Sequence, residues 1–165
     1  NATTLGTWWN GTIDGDMSYR FIEANDVEIT LSDINGEGWA TTYLPFDVTL
    51  SDGLTAYYVN EINTGYVTFA ETTDVPANNG VVLRGEPGEY TLNIAKASST
   101  ITGNYLSGTT VTKEITKEDG NAYYVLAKHA EAGLGFYNAV LGEDVTKFNN
   151  AANKAYLEAQ RKSFW

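Results

Sequence analysis

The sequence predicts an all-β protein: an antiparallel β-sandwich of jelly-roll type with about 10 strands and minimal helix. Two observations support this class. Short runs of β-branched and aromatic residues recur along the chain, and turn-forming segments such as "DING", "SDG" and "KEDGN" separate them. Strands of about five residues, spaced by about 10 to 12, are typical of sandwiches, whereas parallel sheets alternate strands with longer helical patterns.

The predicted strands pair as hairpins where a short turn separates two of them. The strand-like runs are 27–31, 56–59, 66–69, 80–83, 90–94, 122–127 and 134–140. The expected hairpins are 54–61 with 65–71, 80–84 with 89–94, and 121–127 with 133–139. Segment 146–162 is the one helical possibility, and its irregular apolar spacing limits it to a single turn.

A further strand is predicted in "GWATTYL" (38–44). Alternation places Trp39, Thr41 and Tyr43 on one face of this strand and the residues between them on the other. Pro45 lacks a backbone donor and therefore ends the strand or lies at a sheet edge. The apolar phase of each strand predicts the core. Its expected members are Leu31, Leu44, Val59, Phe69, Val81, Leu83, Leu92, Leu126, Phe136 and Leu157.

Length and charge restrict the function classes. The 165 residues suit one module over 1–165, in which residues 1–16 form an extra edge strand or the tail of a preceding domain. The net charge is −11, so the basic footprint of a nucleic-acid-binding protein is missing. No apolar stretch reaches the roughly 20 residues of a membrane span, and no signal peptide is visible. Because the chain starts at Asn1 rather than at methionine, we expect it to be part of a larger, exported polypeptide.

Residues suited to catalysis are few. The chain has no cysteine, which excludes a disulfide scaffold, Cys-ligated zinc and a Cys nucleophile. His129 is the only histidine and falls at a predicted hairpin tip, and no "GxSxG" motif occurs. Most carboxylates fall in turns, where solvated charge is more common than the paired acids of a glycosidase. We therefore expect no enzymatic activity and no organic cofactor.

A calcium ion is the one metal candidate. Asp14 and Asp16 flank a glycine, and Glu23 follows them. Hard cations bind clustered oxygen ligands of this kind at turns. The spacing differs from that of an EF-hand loop, and "DGD" is equally a turn without a metal, so both alternatives stay open.

The aromatic residues, at 13% of the chain, give the strongest indication of a binding surface. In the pairs "WW" (8–9), "YY" (57–58) and "YY" (123–124), strand neighbours point to opposite faces. One ring of each pair therefore faces outward unless both faces are covered. Exposed rings beside amides and hydroxyls suit the apolar face and the hydroxyl groups of a sugar. The candidate ligand-binding residues are Trp8, Trp9, Asn10, Trp39, Tyr58 and Tyr123.

Several motifs also occur in an order that resembles a known segment. They are "GWATTYLPFDVTL" (38–50), "VPANNGVVLRGEPGEYTL" (75–92), "GNYLSGT" (103–109) and "NNAANKAYLEA" (149–159). Together they resemble a β-rich accessory segment near the C-termini of secreted and surface proteins of Bacteroidales, glycoside hydrolases among them. The resemblance implies a secreted or cell-surface bacterial location and a covalently linked catalytic or lectin-like domain. It brings no catalytic residues, and Trp39 stands where a tyrosine is usual.

Two functions are consistent with these observations. The first is a non-catalytic carbohydrate-binding module that holds an appended glycoside hydrolase on plant cell-wall or host polysaccharide through exposed aromatic rings. The second is a structural or surface-display domain without glycan binding, whose rings pack in the core and against a neighbouring domain. Trp8 and Trp9 favour the first, because they lie outside any strand-like period.

Overall fold

The computed structural model describes residues 26–34, 36–129, 133–140 and 144–160, and these residues form only β-strands and their connections. The expected class is confirmed, because every strand pairing in these ranges is antiparallel. The strands are β1 (Asp26–Ile34), β2 (Glu37–Tyr43), β3 (Val48–Thr49), β4 (Thr55–Asn63), β5 (Tyr66–Thr72), β6 (Asp74–Val75), β7 (Gly80–Gly85), β8 (Gly88–Ile94), β9 (Leu106–Thr109), β10 (Lys113–Thr116), β11 (Asn121–His129), β12 (Gly133–Asn138), β13 (Lys147–Asn150) and β14 (Lys154–Gln160). None of the described residues belongs to a helix long and apolar enough to cross a bilayer.

The first eight strands form one sheet that turns back on itself at β1. Their order is β5-β4-β7-β2-β1-β8-β3-β6. Residues 26–31 of β1 pair with β8, and residues 32–34 pair with β2. We call β8, β3 and β6 the outer arm, and β2, β7, β4 and β5 the central arm. Side chains of both arms pack together, among them Leu31, Leu83 and Leu92, and these form the first core.

Besides this eight-stranded sheet, the strands form a two-stranded ribbon, described below, and a third sheet of four strands. The third sheet has the order β12-β11-β14-β9 and covers the other face of the central arm. Val59 and Val82 of the central arm pack against Leu106 and Leu157 of this sheet, which form the second core. Hydrogen bonds fix the contact, since the Ala155 N–H donates to Thr41 Oγ1 over 3.2 Å. The central arm is therefore covered on both faces.

A two-stranded ribbon of β10 and β13 covers the outer face of the third sheet. Phe148 on β13 lies edge-on to Tyr156, with ring centroids 5.5 Å apart, and 5.9 Å from Tyr123. Tyr123 and Tyr156 both become buried as a result. The chain thus forms stacked layers rather than a simple pair of sheets.

Two of the three expected hairpins are present, β4 with β5 and β11 with β12. The expected pairing of 80–84 with 89–94 is wrong. The strand β7 pairs with β2 and β4, whereas β8 pairs with β1 and β3. The reason lies in β7 itself, where Val81, Val82 and Leu83 are all 0% exposed. A strand that is apolar on both faces belongs in the middle layer, and the turn after Gly85 leads the chain to the other arm.

The expected single helical turn in 146–162 is also wrong, because this segment forms β13 and β14. In β14, the consecutive residues 155–157 are buried, since the strand lies between the central arm and the ribbon. Burial on both faces removes the alternation by which a strand is recognised in a sequence.

Most of the expected core is confirmed. Leu31, Leu44, Val59, Val81, Leu83, Leu92 and Leu157 are buried. Leu126 and Phe136 are half-buried, and Phe69 is 38% exposed. The prediction that Phe69 belongs to the core is wrong. Phe69 lies on β5, the edge strand of the central arm, so its ring is covered from one side only.

Candidate functional site

An open cavity lies between the central arm and the third sheet, at the ends of the hairpins β4–β5 and β11–β12. Its volume is about 590 Å³. We call it the aromatic cleft. Its lining includes Trp39, Tyr66, Phe69, Tyr124, Leu126 and Phe136. A concave, mainly apolar cavity of this size with a few polar groups is typical of a ligand-binding site.

The position of β5 at the edge of the central arm explains why rings are exposed here. Phe69 lies opposite Val59 in the β4–β5 ladder, yet Val59 is 0% exposed and Phe69 is 38% exposed. The Phe69 ring lies 5.6 Å from that of Tyr57 and 6.4 Å from that of Phe136, so it bridges the two layers at their open edge. Tyr66, the first residue of β5, is 64% exposed.

Trp39 is half-buried in the wall of the aromatic cleft. The Arg84 guanidinium lies 5.2 Å from the centroid of its ring. Arg84 Nε in turn donates to Glu37 Oε1 over 2.7 Å. Hydrogen bonds to Tyr57 and Glu37 raise the pKa of Arg84, so its charge is permanent. This cation–π contact holds the indole in a fixed position beside the cleft.

The predicted face of β2 is confirmed. Trp39 packs with the second core, Thr41 accepts the hydrogen bond from β14, and Tyr43 lies directly against Gly108 of β9. All three side chains therefore point toward the third sheet.

Polar groups accompany the rings of the aromatic cleft. Asn63 and Thr64, in the turn between β4 and β5, belong to its lining. The Asn63 amide donates to Thr68 Oγ1 only through a long contact of 3.4 Å. Amide and hydroxyl groups at this turn can bind the hydroxyl groups of a ligand that lies on Tyr66 or Phe69.

A second cavity, of about 490 Å³, lies on another side of Trp39. We call it the polar groove. Besides Trp39, its lining includes Thr30, Ser32, Asp33, Lys128, Asn149 and Lys154. Trp39 thus borders both cavities, one mainly aromatic and one mainly polar.

Three of the sequence-predicted binding residues, Trp39, Tyr58 and Tyr123, are among the described residues, and these three do not come together. Tyr123 is 1% exposed, and its hydroxyl accepts a hydrogen bond from the Glu118 N–H over 3.2 Å. The prediction that Tyr123 binds a ligand is therefore wrong, because the ribbon covers the face on which it lies. Tyr58 is half-buried, and alternation along β4 places it on the face opposite to Val59, away from the aromatic cleft. Of the predicted rings that the structure describes, Trp39 alone lines either of these two cavities.

The remaining predicted residues lie outside the described residues. They are Trp8, Trp9 and Asn10 of the proposed glycan site and Asp14, Asp16 and Glu23 of the proposed calcium site. Within the described ranges, no three His, Cys, Asp or Glu side chains are grouped as metal ligands would be.

Sequence reasoning missed Tyr66 and Phe69 as binding residues. Both belong to "YVTF", directly after the turn "NTG" of a hairpin that was correctly expected. The alternation of residues in this strand predicts that Phe69 belongs to the core. A sequence does not show which strand lies at the edge of a sheet, so the exposure of the Phe69 ring was not predicted.

Two carboxylates near the first core, the buried Asp74 and the half-buried Asp47, accept hydrogen bonds from the backbone. Asp74 accepts hydrogen bonds from the N–H groups of Ser98, at 2.7 Å, and Ser99, at 3.1 Å. Burial would raise the pKa of Asp74, but the hydrogen bonds from Ser99 and Ser98 outweigh it and lower the pKa. Asp47 accepts from the N–H groups of Ala97 and Ala77, which likewise lower its pKa. The contacts from Ala97, Ser98 and Ser99 hold the connection between β8 and β9, and the contact from Ala77 holds the connection between β6 and β7.

Comparisons of the chain with protein-family models, with curated proteins and with solved structures gave no match. The resemblance to the Bacteroidales accessory segment therefore stays a prediction.

Proposed function

We propose that this protein is a non-catalytic carbohydrate-binding module that holds a covalently linked, secreted catalytic or lectin-like domain on polysaccharide. One observation carries the proposal. Two exposed rings, Tyr66 and Phe69, line the same open cleft as Trp39, and Asn63 and Thr64 add an amide and a hydroxyl to its lining.

The physical basis is stacking of sugar rings on aromatic side chains. The apolar face of a pyranose covers an aromatic ring, and stacking of a flat group on one ring contributes about 1–3 kcal/mol, taking nucleic-acid bases as the guide. The hydroxyl groups around the sugar then bind to Asn63 and Thr64. Since Tyr66 is 64% exposed, its ring is accessible without any change in the fold.

The composition and the resemblance agree with this proposal. A net charge of −11 disfavours the binding of nucleic acid and does not oppose the binding of a neutral glycan. The motif order resembles segments attached to secreted glycoside hydrolases, which gain from being held on their polymeric substrate.

The first test is an affinity-gel screen against xylan, mannan, β-glucan and pectins, followed by calorimetry on the polymers that retard the protein. We expect Tyr66→Ala and Phe69→Ala each to weaken binding at least tenfold, about 1.4 kcal/mol. Tyr105→Ala is the matched control, because Tyr105 is 47% exposed and lies outside the cleft lining. Equal losses in all three variants, or no retardation on any polymer, would contradict the proposal.

The same calorimetry tests the residues outside the described ranges. We expect Trp8→Ala or Trp9→Ala to weaken glycan binding without comparable unfolding. A lower melting temperature with unchanged affinity would instead assign both rings a packing role. For Asp14, Asp16 and Glu23, a melting temperature that falls on addition of EDTA and recovers with calcium is the expected sign of a bound ion.

A structural or surface-display role is the second candidate function. It is favoured by the many aromatic rings that pack between layers, among them Tyr57, Tyr124 and Phe148. This role predicts that no polysaccharide retards the protein and that Tyr66→Ala leaves its solution behaviour unchanged.

A further inference from the structure

The polar groove differs in charge from the rest of the molecule. Two lysines, Lys128 and Lys154, and one acid, Asp33, belong to its lining. The groove therefore carries one net positive charge in a chain whose net charge is −11. A positive site in a negative protein selects anions locally, because remote acids are screened beyond about 8 Å at physiological ionic strength.

Among the described residues, no carboxylate forms an ion pair with either ammonium group of the groove. The ion pairs among the described residues are Arg84 with Glu37 and Lys147 with Glu114, and neither lysine of the groove takes part in them. Asp33 is already engaged, since its Oδ1 accepts the Gly36 N–H over 2.9 Å in the turn after β1. Lys154 is exposed, and neighbouring groups displace part of the water around its ammonium group and lower its pKa.

The floor of the polar groove is fixed by hydrogen bonds. Asn150 Nδ2 donates to Thr109 Oγ1 over 2.8 Å and to the Lys154 carbonyl over 3.0 Å. Ala155 is held to Thr41 as described above. The backbone that carries Lys154 is thus held beside Trp39 before any ligand arrives, which lowers the entropic cost of binding.

We propose that the polar groove binds the carboxylate of an acidic sugar, so that the preferred ligand of the protein is a polysaccharide containing uronic acid. This inference rests on the proposed function, because another sugar of the same chain stacks in the aromatic cleft, which Trp39 also borders. One net positive charge matches the single charge of a uronate. The hydroxyls of Thr30 and Ser32, which also line the groove, bind the ring hydroxyls of the same sugar.

The test compares each acidic polymer with its own neutral form. Polygalacturonate and glucuronoxylan are measured by calorimetry before and after chemical reduction of their carboxyl groups, which leaves the backbone unchanged. We expect at least one of the two to lose fivefold or more in affinity on reduction. We expect the double variant Lys128→Gln, Lys154→Gln to remove this difference while binding the reduced polymer as well as the parent protein does.

Lys96→Gln is the matched control, because Lys96 is an exposed lysine that lines neither cavity. It should leave the preference for the acidic form intact, and the midpoint of urea unfolding verifies that all variants fold. Equal affinity for both forms, an equal loss in Lys96→Gln, or no binding to either acidic polymer would overturn this inference. Binding to a neutral polymer that depends on Tyr66 would still support the proposed function, so the two failures are distinguishable.

Discussion

The two faces of the central arm are covered in different ways. Toward the outer arm, the first core is made of aliphatic side chains that are almost completely buried, such as Val81, Leu83 and Leu92. Toward the third sheet, the second core has four buried aliphatic members, and half-buried residues such as Trp39, Tyr124 and Phe136 surround them. The second contact opens into the aromatic cleft.

This difference indicates a division of tasks between the two faces. Small and branched side chains interdigitate closely and leave little space between sheets. Large rings at the edge of a layer cannot be covered from every side, so part of their surface stays available to a ligand. The first core therefore contributes chiefly to stability, whereas the open edge of the second contact is where we propose that a ligand binds.

The largest expected effect is a loss of stability in the first core. Leu83 is 0% exposed and packs between the two arms, so Leu83→Ala removes apolar contacts and leaves a cavity. We expect the free energy of unfolding in urea to fall by about 2–5 kcal/mol. A loss below about 1 kcal/mol would show that the first core is not the main source of stability.

The next effect concerns the pH dependence of the free energy of unfolding, to which Asp74 contributes. The pKa of Asp74 is lowered in the folded protein. Its contribution to the free energy of unfolding is therefore fully present above the unfolded-state pKa of about 3.9, and it is lost as the pH falls through the lower pKa of the folded state. Hydrogen bonds to a charged group contribute about 1.5–3 kcal/mol, and Asp74→Asn should lose a comparable amount near neutral pH.

Urea unfolding at neutral pH and below about pH 3 measures this effect, with Asp52→Asn as the control. Asp52 is an exposed turn residue. The difference between wild type and Asp74→Asn should shrink in acid. A difference that is the same at both pH values would show that the charge of Asp74 plays no part.

A comparable or smaller effect is expected where the central arm meets the third sheet. A Cβ at Gly108 would overlap the Tyr43 ring, so Gly108→Ala forces the two layers apart locally. We expect a loss of about 1–3 kcal/mol. Gly135→Ala is the matched control, because a Cβ there meets only the Tyr137 ring, at an ordinary 3.6 Å. If both substitutions cost the same, close packing at Gly108 is not the cause.

The smallest effect is expected at the open edge. Phe69→Ala removes ring contacts with Tyr57 and Phe136, which are worth about 0.5–1.5 kcal/mol in aromatic pairs. Its effect on glycan affinity should be larger than its effect on stability. A stability loss as large as that of Leu83→Ala would contradict the proposed difference between the first core and the contact that opens into the aromatic cleft.

The sequence by itself determined the all-β class, two hairpins, most of the core and the face on which Trp39 lies. These features depend on local alternation and on turn residues, which act over a few positions of the chain. The motif "NTG" predicted the turn between β4 and β5, where Gly65 has a φ of 85°.

The tertiary structure alone decided which strands share a sheet and which rings are covered. It placed β7 and β8 in different arms, buried Tyr123 beneath the ribbon and left Phe69 at an edge. It also brought Thr41 to Ala155, which is 114 residues away in the chain. The physical reason is that alternation specifies two faces for each strand, whereas the exposure of each face depends on the layer that packs against it.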